Sequence, residues 1–252
     1  MFNRKKFNFD DFTENAFRKC IQTVKLKGFN FISFNEYQKA GKNCLWRHDI
    51  DFSPHRGLAL AKIEQEEGIH ANYFIWLHSD FYNLLELEIV EIINRIKNLG
   101  HSIGLHFDSG FYGNAIASKD GLEKKLEVEK KILEDIFGFE IHSFSFHNPV
   151  VASNFSVDDE KLAGMINVYN KELQNSYTYC SDSFCYWRFR RLMDVIEDPE
   201  TKRLHALTHP ECWTESPMSP YARILRAFDG RKKKSQKKYE MRSIKVGRKL
   251  IK

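Results

Sequence analysis

The chain has 252 residues, of which 42% are apolar and 14% aromatic, and a formal charge of +5. Those proportions exclude wholesale disorder and are ample for one buried core, and the length suits a single large α/β domain. No run approaches the roughly 20 apolar residues that a membrane-spanning helix needs.

The predicted elements alternate short apolar runs with longer amphipathic ones, the pattern of repeated β-α units. Residues Met1 to Asp11 mix Phe and Asn with Arg4, Lys5 and Lys6, and no apolar stretch follows, so no signal peptide is expected. A first helix is predicted over Phe12–Lys27. The strand Cys44–Asp51 leads into a helix opened by Pro54, a residue tolerated in the first turn, and stopped before Gly68. The strand Asn72–His78, a helix over Leu84–Asn98 and the strand Ser102–Asp108 follow. A charged helix spans Gly121–Phe137, and further strands are predicted at Ser143–His147, Tyr177–Ser183 and Leu204–His209. From Ser219 the chain reads as a solvated helix.

Charge divides the chain unevenly. Residues 223–252 hold thirteen Lys or Arg against two acids, whereas the preceding 222 residues hold 26 bases against 32 acids. Affinity for a polyanion therefore belongs to the tail. Peripheral contact with an anionic membrane is expected there, salt-sensitive and lost on truncation after Gly230. Nucleic acid is not an expected partner, because the body is acidic and carries no recognition motif. The organisation expected is one domain over 1–222 with a basic helical tail over 223–252. The five cysteines are scattered without a CxxC pair, so reduced thiols in a cytoplasmic protein are expected.

Four predicted strands end in residues able to bind a metal or move a proton. In Arg47-His48-Asp49-Ile50-Asp51, alternation puts Asp49 and Asp51 on one face and His48 on the other. Two neighbouring carboxylates repel unless a cation is shared between them. The same alternation groups Gly104, His106 and Asp108, then Ser143, Ser145 and His147, and finally His205 and His209. In parallel α/β barrels such groups sit at the C-terminal strand ends.

The run WRHDIDFSPHR (Trp46–Arg56), followed by GHSIGLHFD, SFSFHNP, YCSDS and LTHPECW, resembles the polysaccharide-deacetylase (NodB-homology) superfamily over about Leu45–Trp213. The nearest branch is one found among surface-polysaccharide biosynthesis proteins. The resemblance implies a distorted (β/α) barrel of about seven strands, a divalent ion, zinc above others, and removal of an acetyl group from an N-acetylated sugar or sugar nucleotide. It further implies Asp49 as base, Asp51 and His106 as metal ligands, and His209 as the acid that protonates the leaving amine. Asp182 stands where that family orients the histidine or contacts substrate. The family's second ligand histidine would fall at position 110, which is Gly here. His147 is the preferred third ligand and Asp108 the other candidate, with a substrate role as its alternative.

His48 and His101 face away from the expected site and read as structural. Arg188 has the geometry to recognise a phosphate or carboxylate, and Trp213 is a candidate sugar-stacking surface. Two other functions share these residues: a cyclic-amide or formamide hydrolase on the same barrel, and a glycan-binding pseudoenzyme without metal, the latter suggested by Gly110.

Overall fold

A computed structural model describes residues 9–147, 158–187 and 189–251. Asn148 and Pro149 of the fourth motif, and Arg188, lie outside the described residues. Helix α1 (Glu14–Leu26) starts where the Thr13 side chain accepts from the N–H of Ala16, and it buries Phe17, Cys20, Ile21 and Val24, an apolar stripe at helical spacing. A two-residue strand, β1 (Asn30–Phe31), precedes β2 (Asn43–Ile50), in which every residue is buried. Strands covered on both faces belong to parallel sheets, and β2 does pair in parallel with β1, β3 and β9.

Helix α2 (Pro54–Glu66) has Ser53 as its cap and Pro54 in its first turn. Then come β3 (Asn72–Trp76), α3 (Leu87–Asn98), β4 (Ser102–Asp108), a single turn α4 (Ser109–Tyr112), and α5 (Lys119–Phe137). Gly138 closes α5 at φ 72°, the left-handed conformation that glycine adopts without a Cβ penalty. Strand β5 (Ser143–His147) is followed by β6 (Lys161–Leu162), β7 (Met165–Asn167), α6 (Lys171–Ser176), β8 (Thr178–Ser181), α7 (Leu192–Glu197), β9 (Leu204–Thr208) and α8 (Pro220–Lys245). The sequence pattern leaves out β6, β7, α6 and α7, which are too short to show a period.

The hydrogen-bonded order is β6-β7-β5-β4-β3-β2-β9-β8, with β1 beside β2. The expected distorted barrel is thus a curled sheet, and no pairing joins β6 to β8 among the described residues. Among the strands of the described residues, only the β6–β7 pair is antiparallel. Alternation sorts the core into two clusters. Outward residues such as Trp46, Ile50, Tyr73, Leu105 and Phe144 pack with the helices. Leu45 and Phe74 point inward and form a second cluster with Phe34, Val168 and Tyr177. Gly104 faces inward too, and a Cβ there would lie 2.5 Å from the Phe74 ring and 2.9 Å from the Ser143 carbonyl. The concave face has no room for a side chain at that point.

Two expectations need correction. Cys185 and Cys212 are joined in a disulfide, while Cys20, Cys44 and Cys180 are free and buried. The bond ties the loop after β8 to the turn after β9, two neighbouring strand ends whose proximity a separation of 27 residues does not reveal. The tail is also not simply solvated. Arg223 is fully buried and donates to the carbonyls of Cys185 (3.2 Å) and Phe9 (2.8 Å). Phe228 lies against the Phe52 and Phe81 rings, and Arg231, Lys234 and Lys238 pair with Glu86 and Glu88. Beyond that the helix is exposed. Among the described residues no helix is long and apolar enough to cross a membrane.

Candidate metal centre and proton-transfer site

Parallel strands in register bring the motifs together. His106 on β4 pairs with Ser145 on β5, and Asp108 with His147, while β3 separates β4 from β2. Asp51 lies just past the end of β2. Its Oδ1 is 3.2 Å from His106 Nε2 and 3.7 Å from His147 Nδ1, and the two imidazole nitrogens are 3.2 Å apart. Four ligands at roughly 2.1 Å around a tetrahedral ion stand about 3.4 Å from one another. The three edges match that spacing. Asp51 Oδ1 is buried and has no hydrogen bond among the described residues, although a buried acceptor without a partner costs about 1–3 kcal/mol. An orphaned carboxylate oxygen facing two imidazole nitrogens fits a divalent cation.

The surroundings hold these groups in place. Ser145 Oγ is 2.6 Å from His106 Nδ1, which leaves Nε2 for the cluster. Trp76 stacks on the His147 ring, with centroids 4.0 Å apart. Burial opposes protonation of His147, but the Asp51 carboxylate outweighs it and lifts the imidazole above its ordinary value. Burial likewise penalises the Asp51 charge, and His106, His147 and His209 reverse that, holding it well below the usual carboxylate range. Among the described residues, Asp51, His106 and His147 are the groups that the fold places close enough together to hold one metal ion.

Asp49 lies deeper on the same face. Its oxygens accept from Arg47 Nε (2.8 Å) and Nη2 (2.7 Å), and Oδ2 is 3.6 Å from His106 Nδ1. Burial works against its charge, yet the Arg47 guanidinium keeps the carboxyl below its ordinary value. Alternation puts Arg47 on the face of Asp49 and Ser145 on that of His147, but it does not reveal that Arg47 binds Asp49 or that Ser145 binds His106.

On the other side of Asp51, His209 Nε2 stands 3.6 Å from Oδ2. Its Nδ1 is hydrogen-bonded to Asp182, whose other oxygen accepts from the His209 backbone N–H at 3.1 Å. Burial alone drives a proton off this imidazole, but Asp182 overrides it and raises His209 well above the usual range. Glu211 follows two residues later, fully enclosed, and burial pushes its carboxyl up to about 8.

Three expected substrate contacts fare differently. Asp182 is buried and both of its oxygens bind His209, an arrangement that positions the imidazole. Asp108 Oδ1 accepts from the N–H of Gly110 at 2.8 Å and caps the turn that follows β4. Trp213 is 1% exposed and packs among Phe12, Phe17 and Trp187, so it is core and no sugar can stack on it. Aromatic residues beside a catalytic motif do not reveal from sequence which side of the loop they occupy. His48 and His101, as expected, face the helices. His48 Nε2 contacts Glu64 (2.6 Å) and Nδ1 contacts Thr208 (2.9 Å); His101 bridges Ala71 N–H and the Ala61 carbonyl.

No family model and no curated protein matches the sequence. Solved structures do. The Streptococcus pyogenes deacetylase PplD, in complex with acetate, is 18% identical, with 55% of this chain and 66% of that chain covered and a TM-score of 0.41. A family 4 carbohydrate esterase from Bacillus anthracis is 16% identical over 84% of each chain, with a TM-score of 0.43. The catalytic domain of a peptidoglycan N-acetylglucosamine deacetylase from Eubacterium rectale ATCC 33656 is 14% identical, covering 75% of this chain and 84% of that one, with a TM-score of 0.46.

Proposed function

We propose that the protein is a metal-dependent amide hydrolase that removes the acetyl group from an N-acetylated sugar or glycan precursor. One observation carries the reading: Asp51 offers one oxygen to a pair of imidazoles and turns the other toward His209, which Asp182 holds protonated. A ligand cluster and a proton donor thus share one carboxylate.

Asp51, His106 and His147 would hold the ion, for which zinc is the natural choice given two nitrogens and one oxygen. When bound, it supplies Lewis acidity toward the amide carbonyl. The residues of the chain do the rest. His209 carries its proton on Nε2 and delivers it to the departing amine, and Asp182 fixes both the ring orientation and the tautomer. Asp49, kept ionised by Arg47, accepts a proton from the water that adds to the amide carbonyl, and the carbonyl–nitrogen bond breaks as His209 protonates the amine, giving acetate and the free amino sugar. Ser145 and Trp76 fix the two imidazoles. Release of an acetyl group from a sugar during surface-polysaccharide assembly fits the sequence motifs.

The test is metal analysis of the purified protein together with an assay for released acid. One divalent ion per chain is expected, absent in Asp51→Ala, and acetate should appear from N-acetylated sugars. Formate in place of acetate would assign the barrel to formamide hydrolysis. Glycan binding with neither ion nor released acid would make it a binding protein.

A further inference from the structure

The rim beside Asp51 carries a second constellation, built where the tail helix docks. A cavity of about 230 Å³ lies between the start of α2, the loop after β3 and the first half of α8. It begins at Phe52 and Ser53, the residues that directly follow Asp51. His55, Arg56, Arg226, Arg231 and Lys234 line it, and no acid does. Phe52 and Phe81, stacked at 4.0 Å, give it an apolar side.

The cations are not equally committed. Arg56 is shared between Glu14 and the Trp213 carbonyl, but its buried Nε has no partner. Arg231 and Lys234 are paired with Glu86 and Glu88. Arg226, which is exposed, makes no hydrogen bond or ion pair among the described residues. Partial withdrawal from water, and then the Arg56 charge beside it, depress its guanidinium. Glu14, bound to Arg56, and Glu215 offset that only in part, so the two guanidinium groups are further relieved by an anion, and their forked donors match phosphate oxygens. The volume is below the roughly 300–1,000 Å³ of sites that enclose a whole small molecule, so it suits one group of a longer ligand.

We propose that this cavity binds the phosphate or diphosphate group of a substrate whose N-acetylated sugar lies at the adjoining centre. That the anion belongs to the substrate rests on the hydrolase reading; the cation cluster stands without it. A diphosphate occurs in sugar nucleotides and in lipid-linked sugars, and the same cavity chemistry serves both.

Calorimetric titration of the full chain with inorganic pyrophosphate tests the site by itself. Saturable binding is expected, weakened at least about tenfold in Arg226→Glu, the size of one charge-assisted hydrogen bond. Lys245→Glu, the same charge change on the exposed end of α8, should leave it nearly unaltered. Absence of binding, or equal weakening by both variants, overturns the proposal. Acetate release is then compared for a nucleoside-diphosphate-linked N-acetyl sugar, a lipid-diphosphate-linked one and an unphosphorylated N-acetylated oligosaccharide. Arg226→Glu should lower kcat/KM for one or both diphosphate substrates and spare the third, and whichever diphosphate responds identifies the source. Equal loss on all three overturns the substrate assignment. Site-specific pyrophosphate binding without acetate release from any of them sinks the hydrolase reading and leaves the anion site standing.

Discussion

The sheet carries a cluster of imidazoles and carboxylates on each face, and the two differ in how completely the protein satisfies them. On the convex face, Glu64 meets His48, Tyr73 and His101, and each of those imidazoles has a second partner in Thr208, Ala71 or Ala61. On the concave face, Asp51 Oδ1 has no hydrogen bond among the described residues, while His106 Nε2 and His147 Nδ1 stand 3.2 and 3.7 Å from it. Each joins one acid to two imidazoles, but the convex groups are fully buried whereas Asp51 and His147 keep some exposure. A closed polar cluster holds helices to a sheet, whereas an open one asks for a ligand, and that is the distinction between a structural histidine and a functional one here.

The largest expected effect breaks the concave cluster at its proton donor. His209→Ala should lower kcat by about 10²–10⁴, the usual contribution of a positioned acid or base, with metal content unchanged. Asp182→Asn is the finer probe. Because Asp182 raises the His209 pKa, its neutral replacement lowers it, and the acid form is lost at a lower pH. The alkaline limb of the kcat–pH profile should therefore move toward neutrality. A limb that stays in place would detach His209 from the proton-transfer role.

The next effect belongs to the convex face. Glu64→Leu removes the acid that three side chains share and should cost about 3–5 kcal/mol of stability, as breaking a buried charged pair does. Thermal or urea unfolding measures this. The surviving folded protein should keep its ion and its kcat, because β2 and β3 separate Glu64 from the concave face. Loss of the ion in step with stability would show that the two faces act as one network.

How much of this was legible follows from the period of a strand. Alternation separates Asp51 from His48 and groups His106 with Asp108 and His147 with Ser145, each within its own strand, and it is the parallel register that brings those faces together. Alternation is silent on partners. It puts Arg47 beside Asp49 but does not say that Arg47 takes both its oxygens. The Cys185–Cys212 bond and the docking of α8 depend on loops meeting at strand ends, where no periodic signal exists. The basic run from Arg231 reads as solvated because Glu86 and Glu88, its partners, are about 150 residues earlier.

The smallest effect comes from a matched pair of hydroxyl deletions, one on each face. Ser145 Oγ on the concave side and Thr208 Oγ1 on the convex side each hold one histidine through Nδ1, at 2.6 and 2.9 Å. Both are buried, and each deletion should cost about 1 kcal/mol of stability. Of the two, Ser145 orients a ring whose other nitrogen faces Asp51, in the cluster proposed to hold the ion. Ser145→Ala should therefore weaken metal affinity by about 10–100-fold, the range for losing the partner of a ligating histidine, whereas Thr208→Ala, with any valine-like repacking avoided, should leave it unaltered. Metal competition against a chromophoric chelator reads both. Were the two deletions to change stability alone, Ser145 would be no more than a second Thr208, and the concave imidazoles would be as structural as the convex ones.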